Sequence, residues 1–172
     1  MVVNPFLDEN WADSLAYSPD YEVRLRLGKV QDVPALAELE RLTFRKPWTP
    51  KQLEDQIKDD WKSTYLLAVT EVDGREYLLA YLSWWQILDE ADILNVSVHP
   101  AWRRHGIARG LLNRALTAMK ENGVKRVTLE VAKKKTAAQA LYLGAGFYFA
   151  GEIKGYYPEY NDDALVMNKL FE

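Results

Sequence analysis

The sequence predicts an α/β (α+β) fold: one mixed sheet of about seven strands with helices on both faces. Three observations predict it. Strand-like and helix-like segments alternate through the second half of the chain, and parallel neighbours need such crossovers. Asp73-Gly74 stands between two apolar runs, a tight-hairpin signal that makes the first half antiparallel. The 172 residues suffice for one domain with a sizeable core.

The elements follow in order. Glu22 to Leu27 alternates, with Val23, Leu25 and Leu27 on one face, as a first strand. Asp32 and Pro34 suit the start of a helix whose one side carries Leu36, Leu39, Leu42 and Thr43. Thr49-Pro50-Lys51-Gln52 is a capping-box start for a second helix with Leu53 and Ile57. Strands are expected over Thr64 to Val72, Glu76 to Leu88 and Ala91 to Val98, the last stopped by His99-Pro100. A helix from about Gly106 to Asn122 ends at Gly123. Arg126 to Val131 is a strand and Thr136 to Ala145 a helix. Strands around Phe147 to Gly155 and Ala164 to Leu170 close the domain. The expected division is an N-terminal extension, 1–21, and a domain, 22–172.

Composition excludes several classes. With 25 acidic and 22 basic side chains the net charge is -3, which argues against binding nucleic acid through net charge. Cysteine is absent, so disulfides, thiolate metal sites and a cysteine nucleophile are excluded. Only His99 and His105 supply imidazole, and no metal site is expected. No apolar run reaches the roughly 18 residues of a membrane span. The start of the chain has neither a basic region nor an apolar stretch, so it does not read as a secretory signal. A cytoplasmic protein with no membrane partner is expected.

The stretch from Val96 to Leu112 carries the chemistry. An apolar strand ends, a basic loop turns, and a helix begins at small residues. Gly106 and Ala108 let a ligand approach the backbone. The first amides of the helix lack internal partners, and the positive end of its dipole adds to them, so a phosphate or pyrophosphate is favoured there. Arg103, Arg104 and Arg109 add charge and paired donors.

Arg103-x-x-Gly106-x-Ala108 after a Val-x-Val-x-Pro strand resembles the acyl-CoA pyrophosphate motif of GNAT acetyltransferases. Leu129-Glu130-Val131, Ala140-Leu141-Tyr142 and Gly146-Phe147 follow at that superfamily's spacing. Pro47-Trp48-Thr49 near the start, and Gly155-Tyr156-Tyr157-Pro158 followed by Asp163-Ala164-Leu165-Val166-Met167, resemble its RimI-like branch. That branch acetylates the N-terminal amine of a small-subunit ribosomal protein. The resemblance spans roughly residues 23–170. It implies the GNAT fold, a twisted, mostly antiparallel sheet whose strands splay at the acetyl-CoA site. It implies acetyl-CoA as co-substrate and a protein or peptide N-terminus as partner. Val96, Ser97 and Val98 would present backbone groups to the pantetheine arm and the acetyl carbonyl. The loop Arg103, Arg104, His105, Gly106, Ile107, Ala108, Arg109 would hold the pyrophosphate. The residue five after Glu130 is usually asparagine in this branch and contacts CoA; here it is Lys135, able instead to meet a phosphate.

Amine acetylation needs a neutral amine, donors for the carbonyl oxygen and a proton for the departing thiolate. A peptide α-amine, near pKa ~8, needs less help than a lysine, near ~10.4. Val127, Leu129 and Val131 share one strand face, which leaves Thr128 and Glu130 on the other. The resemblance makes Glu130 the base and Tyr142 the acid that protonates the CoA thiolate, by direct attack in a ternary complex. His105 is a competing base, although its loop suits phosphate better. The Val98 amide is the candidate oxyanion donor.

Trp48, Trp84, Trp85, Tyr156, Tyr157 and Tyr160 are candidates to line an acceptor groove, with Trp48, Tyr156 and Tyr157 foremost. Glu159, Asp162 and Asp163 lie where a basic peptide or free amine would be drawn. Three other readings stay open: a small-amine acetyltransferase, a non-catalytic acyl-CoA-binding module, and an RNA-associated protein using Lys120, Lys125, Arg126 and Lys133 to Lys135. The preferred reading has no direct nucleic-acid contact and a monomer or weak dimer.

Overall fold

The computed structural model describes residues 17–172. Residues 1–16 of the expected N-terminal extension lie outside the described residues. Seven strands form one sheet: β1 (Val23–Leu27), β2 (Ser63–Val72), β3 (Arg75–Ile87), β4 (Glu90–Val98), β5 (Arg126–Ala132), β6 (Tyr148–Tyr157) and β7 (Asp162–Leu170). Their order is β1-β2-β3-β4-β5-β7-β6. Four α-helices are found among the described residues: α1 (Val33–Thr43), α2 (Pro50–Lys58), α3 (Ile107–Glu121) and α4 (Thr136–Gly144).

Every strand pair is antiparallel except β4 with β5. Asp73 and Gly74 both have positive φ, 51° and 75°, as the predicted two-residue hairpin requires. The sheet is covered on both faces. Leu36, Leu39 and Leu53 of α1 and α2 pack on Tyr65, Leu67 and Val69. Leu111, Leu112, Ala115 and Met119 of α3 pack on Leu66, Ala68, Val127, Leu129 and Val131 on the opposite side. β2 is therefore buried on both faces, each alternate residue serving a different core. A register shift at Ala68/Val69 turns Leu78 and Tyr81, three residues apart, toward the same cluster.

Thr49 caps α2 as predicted: its side chain accepts from the Gln52 amide, and the Gln52 side chain accepts from the Thr49 amide. Two local expectations, on Asp32 and Leu42, are corrected. Asp32 precedes α1 but does not cap it. Its carboxylate accepts from the Lys29 amide and from two nitrogens of Arg26, and Arg26 also reaches Glu76. β1 forms as predicted; the face shared by Val23, Leu25 and Leu27 is largely exposed at the sheet edge, and Arg26 on the other face is half-buried. Leu42 is exposed, because a helix at 3.6 residues per turn carries it off the stripe of Leu36, Leu39 and Thr43.

Candidate active site

β4 and β5 pair over four rungs, from Glu90↔Arg126 to Ile93↔Leu129, and then separate. Both strands continue: β4 to Val98 and β5 to Ala132. The His99 amide bonds back to Leu79 of β3. Backbone amides alternate sides along a strand, so those of Val98 and Val96 face the gap. The Val98 carbonyl there accepts from Arg103 Nε at 3.1 Å.

Two cavities meet at this gap. The larger, about 1160 Å³, lies toward α3 and α4. Val96, Ser97, Val98, Arg103, Arg104, Gly106, Ile107, Ala108, Arg109 and Lys135 all line it, with Lys134 and Tyr142. Its charged lining is wholly cationic. The smaller, about 400 Å³, lies toward the α1–α2 loop and is lined by Glu40, Trp48, Asn95, Glu130, Tyr157, Glu159 and Tyr160, with Lys46 and Lys135. Phe44, Val96, Lys135, Ala138 and Tyr142 line both cavities.

The loop at the larger cavity is built to turn sharply. Arg104 and Gly106 both have positive φ, 66° and 80°. Gly106 pays no steric cost there, and only Arg109 stands near the space a Cβ would fill. The first bond of α3 runs from Gly110 to Gly106, which leaves the amides of Ile107, Ala108 and Arg109 without helical partners. Buried Trp102 supports the loop from beneath, with Tyr21 stacked 6.1 Å away. His105 lies outside both cavity linings and stacks on Tyr17, ring centres 3.3 Å apart. It is no candidate base in this geometry. His99 is buried; its Nδ1 accepts from the Ala101 amide. Burial, with Arg103 nearby, lowers its pKa to about 4.

Glu130 projects from β5 into the smaller cavity, while Val127, Leu129 and Val131 enter the core. Glu130 stays partly open to solvent; partial desolvation at the cavity wall, and then the charge of Asp92, raise its pKa above the usual carboxylate value. Tyr142 is buried against Phe147, ring centres 5.8 Å apart. Burial pushes its phenol up to about 12. Tyr157 is raised too, first by burial and then by the fields of Tyr156, Glu130, Tyr142 and Glu159, so these groups occupy one neighbourhood. Tyr156 is exposed beside Tyr157 and lines neither cavity.

Several candidates sit elsewhere. Trp84 is a core residue. Trp85 donates to Gln56 and lies under Lys62. The Asp162 carboxylate accepts from the Lys134 amide, and that of Asp163 from the Gly155 amide; of the three acidic candidates only Glu159 reaches the cleft. Lys135 Nζ lies over the rings of Tyr160 (4.9 Å) and Phe44 (5.5 Å). Two polar residues of the cavity wall escaped the sequence reading, Glu40 and Asn95, because nothing local separates them from the other polar residues of their segments.

A model described as "Acetyltransferase (GNAT) family" matches residues 33–147. The ribosomal protein bS18-alanine N-acetyltransferase of Escherichia coli K12 is 30% identical over 138 residues, 79% of this chain and 89% of its own. The enzyme of the same name from Haemophilus ducreyi is 32% identical over 129 residues, 74% of this chain and 84% of its own. The crystal structure of the ribosomal-protein-S18-alanine N-acetyltransferase from E. coli superposes with a TM-score of 0.77 at 26% identity, covering 87% of this chain and 94% of that one.

Proposed function

The chain belongs to the acetyltransferase (GNAT) family, and from that premise we propose that it moves an acetyl group from acetyl-CoA to the N-terminal α-amine of a protein. A ribosomal protein is the acceptor class, after the relatives' names, and the cytoplasm is the compartment. Residues 22–172 are the transferase domain.

The observation that carries this reading is the meeting, at the β4–β5 gap, of a wholly cationic cavity with one that also carries carboxylates. The cationic one suits the phosphates of CoA: the free amides of α3 and the Arg104 and Arg109 side chains would hold the pyrophosphate. The Val96 and Val98 backbone would hold the pantetheine arm as a further strand would, and the Val98 amide would steady the charge that develops on the carbonyl oxygen. The other cavity, with Glu130 and Glu159 on its walls beside Lys46 and Lys135, offers carboxylates to an amine that must shed a proton.

Glu130 takes that proton, directly or through water. Its raised pKa brings it nearer to the amine's, which strengthens it as a base. Tyr142, in both linings, is protonated throughout the neutral range and donates to the thiolate sulfur as charge develops there. Trp48 and Tyr157 flank the acceptor, and Tyr156 extends that wall outside. Lys135, held over Tyr160 and Phe44, borders both compartments.

The test is incubation with acetyl-CoA and peptides bearing ribosomal-protein N-termini, read by mass. Gain of one acetyl group on the α-amine, and none on an N-terminally blocked peptide with a free lysine, is expected. Acetylation confined to small amines, or thiol release without any acylated acceptor, overturns it.

A further inference from the structure

We propose that Glu40 is a positioning residue that fixes the acceptor wall of the cleft against the strand that meets the thioester; this rests on the acetyl-transfer reading above. Glu40 stands in the last turn of α1, fully buried. One carboxylate oxygen accepts from the Trp48 backbone amide at 2.8 Å. The other accepts from the Tyr81 hydroxyl and, at 3.4 Å, from Asn95 Nδ2. Asn95 Nδ2 also reaches Tyr81 Oη at 3.3 Å.

Trp48 and Asn95 both line the acceptor cavity. Trp48 belongs to the loop between α1 and α2. Asn95 lies on β4 beyond its last rung with β5, next to Val96. One side chain therefore links the wall that would contact the acceptor to the strand that would contact the acetyl donor. A second long-range main-chain anchor of the loop is the Arg45 amide, which donates to Tyr160 Oη at 3.0 Å; Tyr160 lines the same cavity.

A carboxylate is a costly way to attach a loop. Burial raises the Glu40 pKa, and the bonds from Tyr81 and Trp48 oppose that rise. An apolar contact of similar volume would attach the loop at less desolvation cost. What the carboxylate adds is direction: two oxygens accept from three donors and set the loop's distance and angle to β4 together. Transfer depends on such placement, because errors of about 1 Å at a reacting centre can cost about 10²-fold.

Glutamine offers one acceptor oxygen and an NH2 donor, so in Glu40→Gln either the Trp48 amide faces a donor or the Tyr81 hydroxyl must turn to accept, and the set geometry is lost in both cases. The peptide KM should rise about tenfold, the effect of one lost hydrogen bond. Acetyl-CoA affinity by calorimetry should stay near wild type, the melting temperature should fall by only a few degrees, and amide exchange at Trp48 should accelerate. Tyr81→Phe keeps the Trp48 bond and should change the peptide KM much less. A peptide KM unchanged in Glu40→Gln overturns the inference, as does a parallel loss of acetyl-CoA affinity and melting temperature, the mark of a general structural role. A wild-type protein that acetylates no α-amine peptide fails at an earlier step: it removes the acetyl-transfer reading and the acceptor role of Glu40 with it.

Discussion

Ile93 of β4 is paired with Leu129 of β5, and no rung follows. The next residue on β5 is Glu130, facing the smaller cavity, and two residues beyond Leu94 the Val96 amide faces the opening. The end of one short parallel ladder thus places a carboxylate beside unclaimed backbone donors.

Glu130→Gln should lower turnover by about 10²-fold with acetyl-CoA affinity intact. A base must be deprotonated, so activity falls as pH drops through the Glu130 pKa, which is raised by partial desolvation and by Asp92. Asp92→Asn removes a like charge and should move that acid limb to lower pH. A pH profile of kcat/KM for both proteins checks it; an unmoved limb removes Glu130 from the role.

Tyr142→Phe should cut turnover by about 10²-fold while calorimetry shows unchanged acetyl-CoA binding. With its phenol near 12, wild type should show no alkaline limb from Tyr142 below about pH 10. Equal turnover in the two proteins would end the assignment.

Arg104→Ala and Arg109→Ala should each raise the acetyl-CoA KM by about tenfold, the value of a lost charge-assisted bond, with the peptide KM untouched. Gly106→Ala forces a Cβ into positive φ, costs about 1–2 kcal/mol and should raise the same KM. Titration of each variant with acetyl-CoA discriminates.

His99 is held neutral, its pKa lowered from 6.5 to about 4. A proton binds the unfolded chain first, so stability is complete above pH 6.5 and declines as pH falls toward 4, by up to roughly 3 kcal/mol. Asparagine can accept the Ala101 amide without titrating, and His99→Asn should flatten that decline in urea melts. An identical slope in both proteins would show that other groups carry it.

The order of elements was legible because each signal was local: the Asp73-Gly74 turn, the Thr49 capping box and the Gly123 stop act within a few residues. The sharp turn before α3 was legible for the same reason. Glu130 was placed on the correct face by period-two alternation alone. Long-range facts were not legible. Asp32 looks like a cap until Arg26 claims it, and a leucine at position 42 carries no mark of facing outward. Glu40 reads as one more glutamate in Glu38-Leu39-Glu40, because its partners lie 8, 41 and 55 residues away. Trp84 and Trp85 were drawn to the cleft by residue type, whereas the sheet assigns one to the core and the other to Gln56.

The four-rung ladder has a thermodynamic consequence. Among the described residues it is the only direct strand pairing between β1–β4 and the three C-terminal strands, so the sheet is seamed there by few main-chain bonds. A ligand that lies along the opening and touches both banks works as a staple. At a hundredfold excess over its dissociation constant it adds about 2.7 kcal/mol to the native state. Heat resistance of the enzyme would then report how well it is fed with its donor.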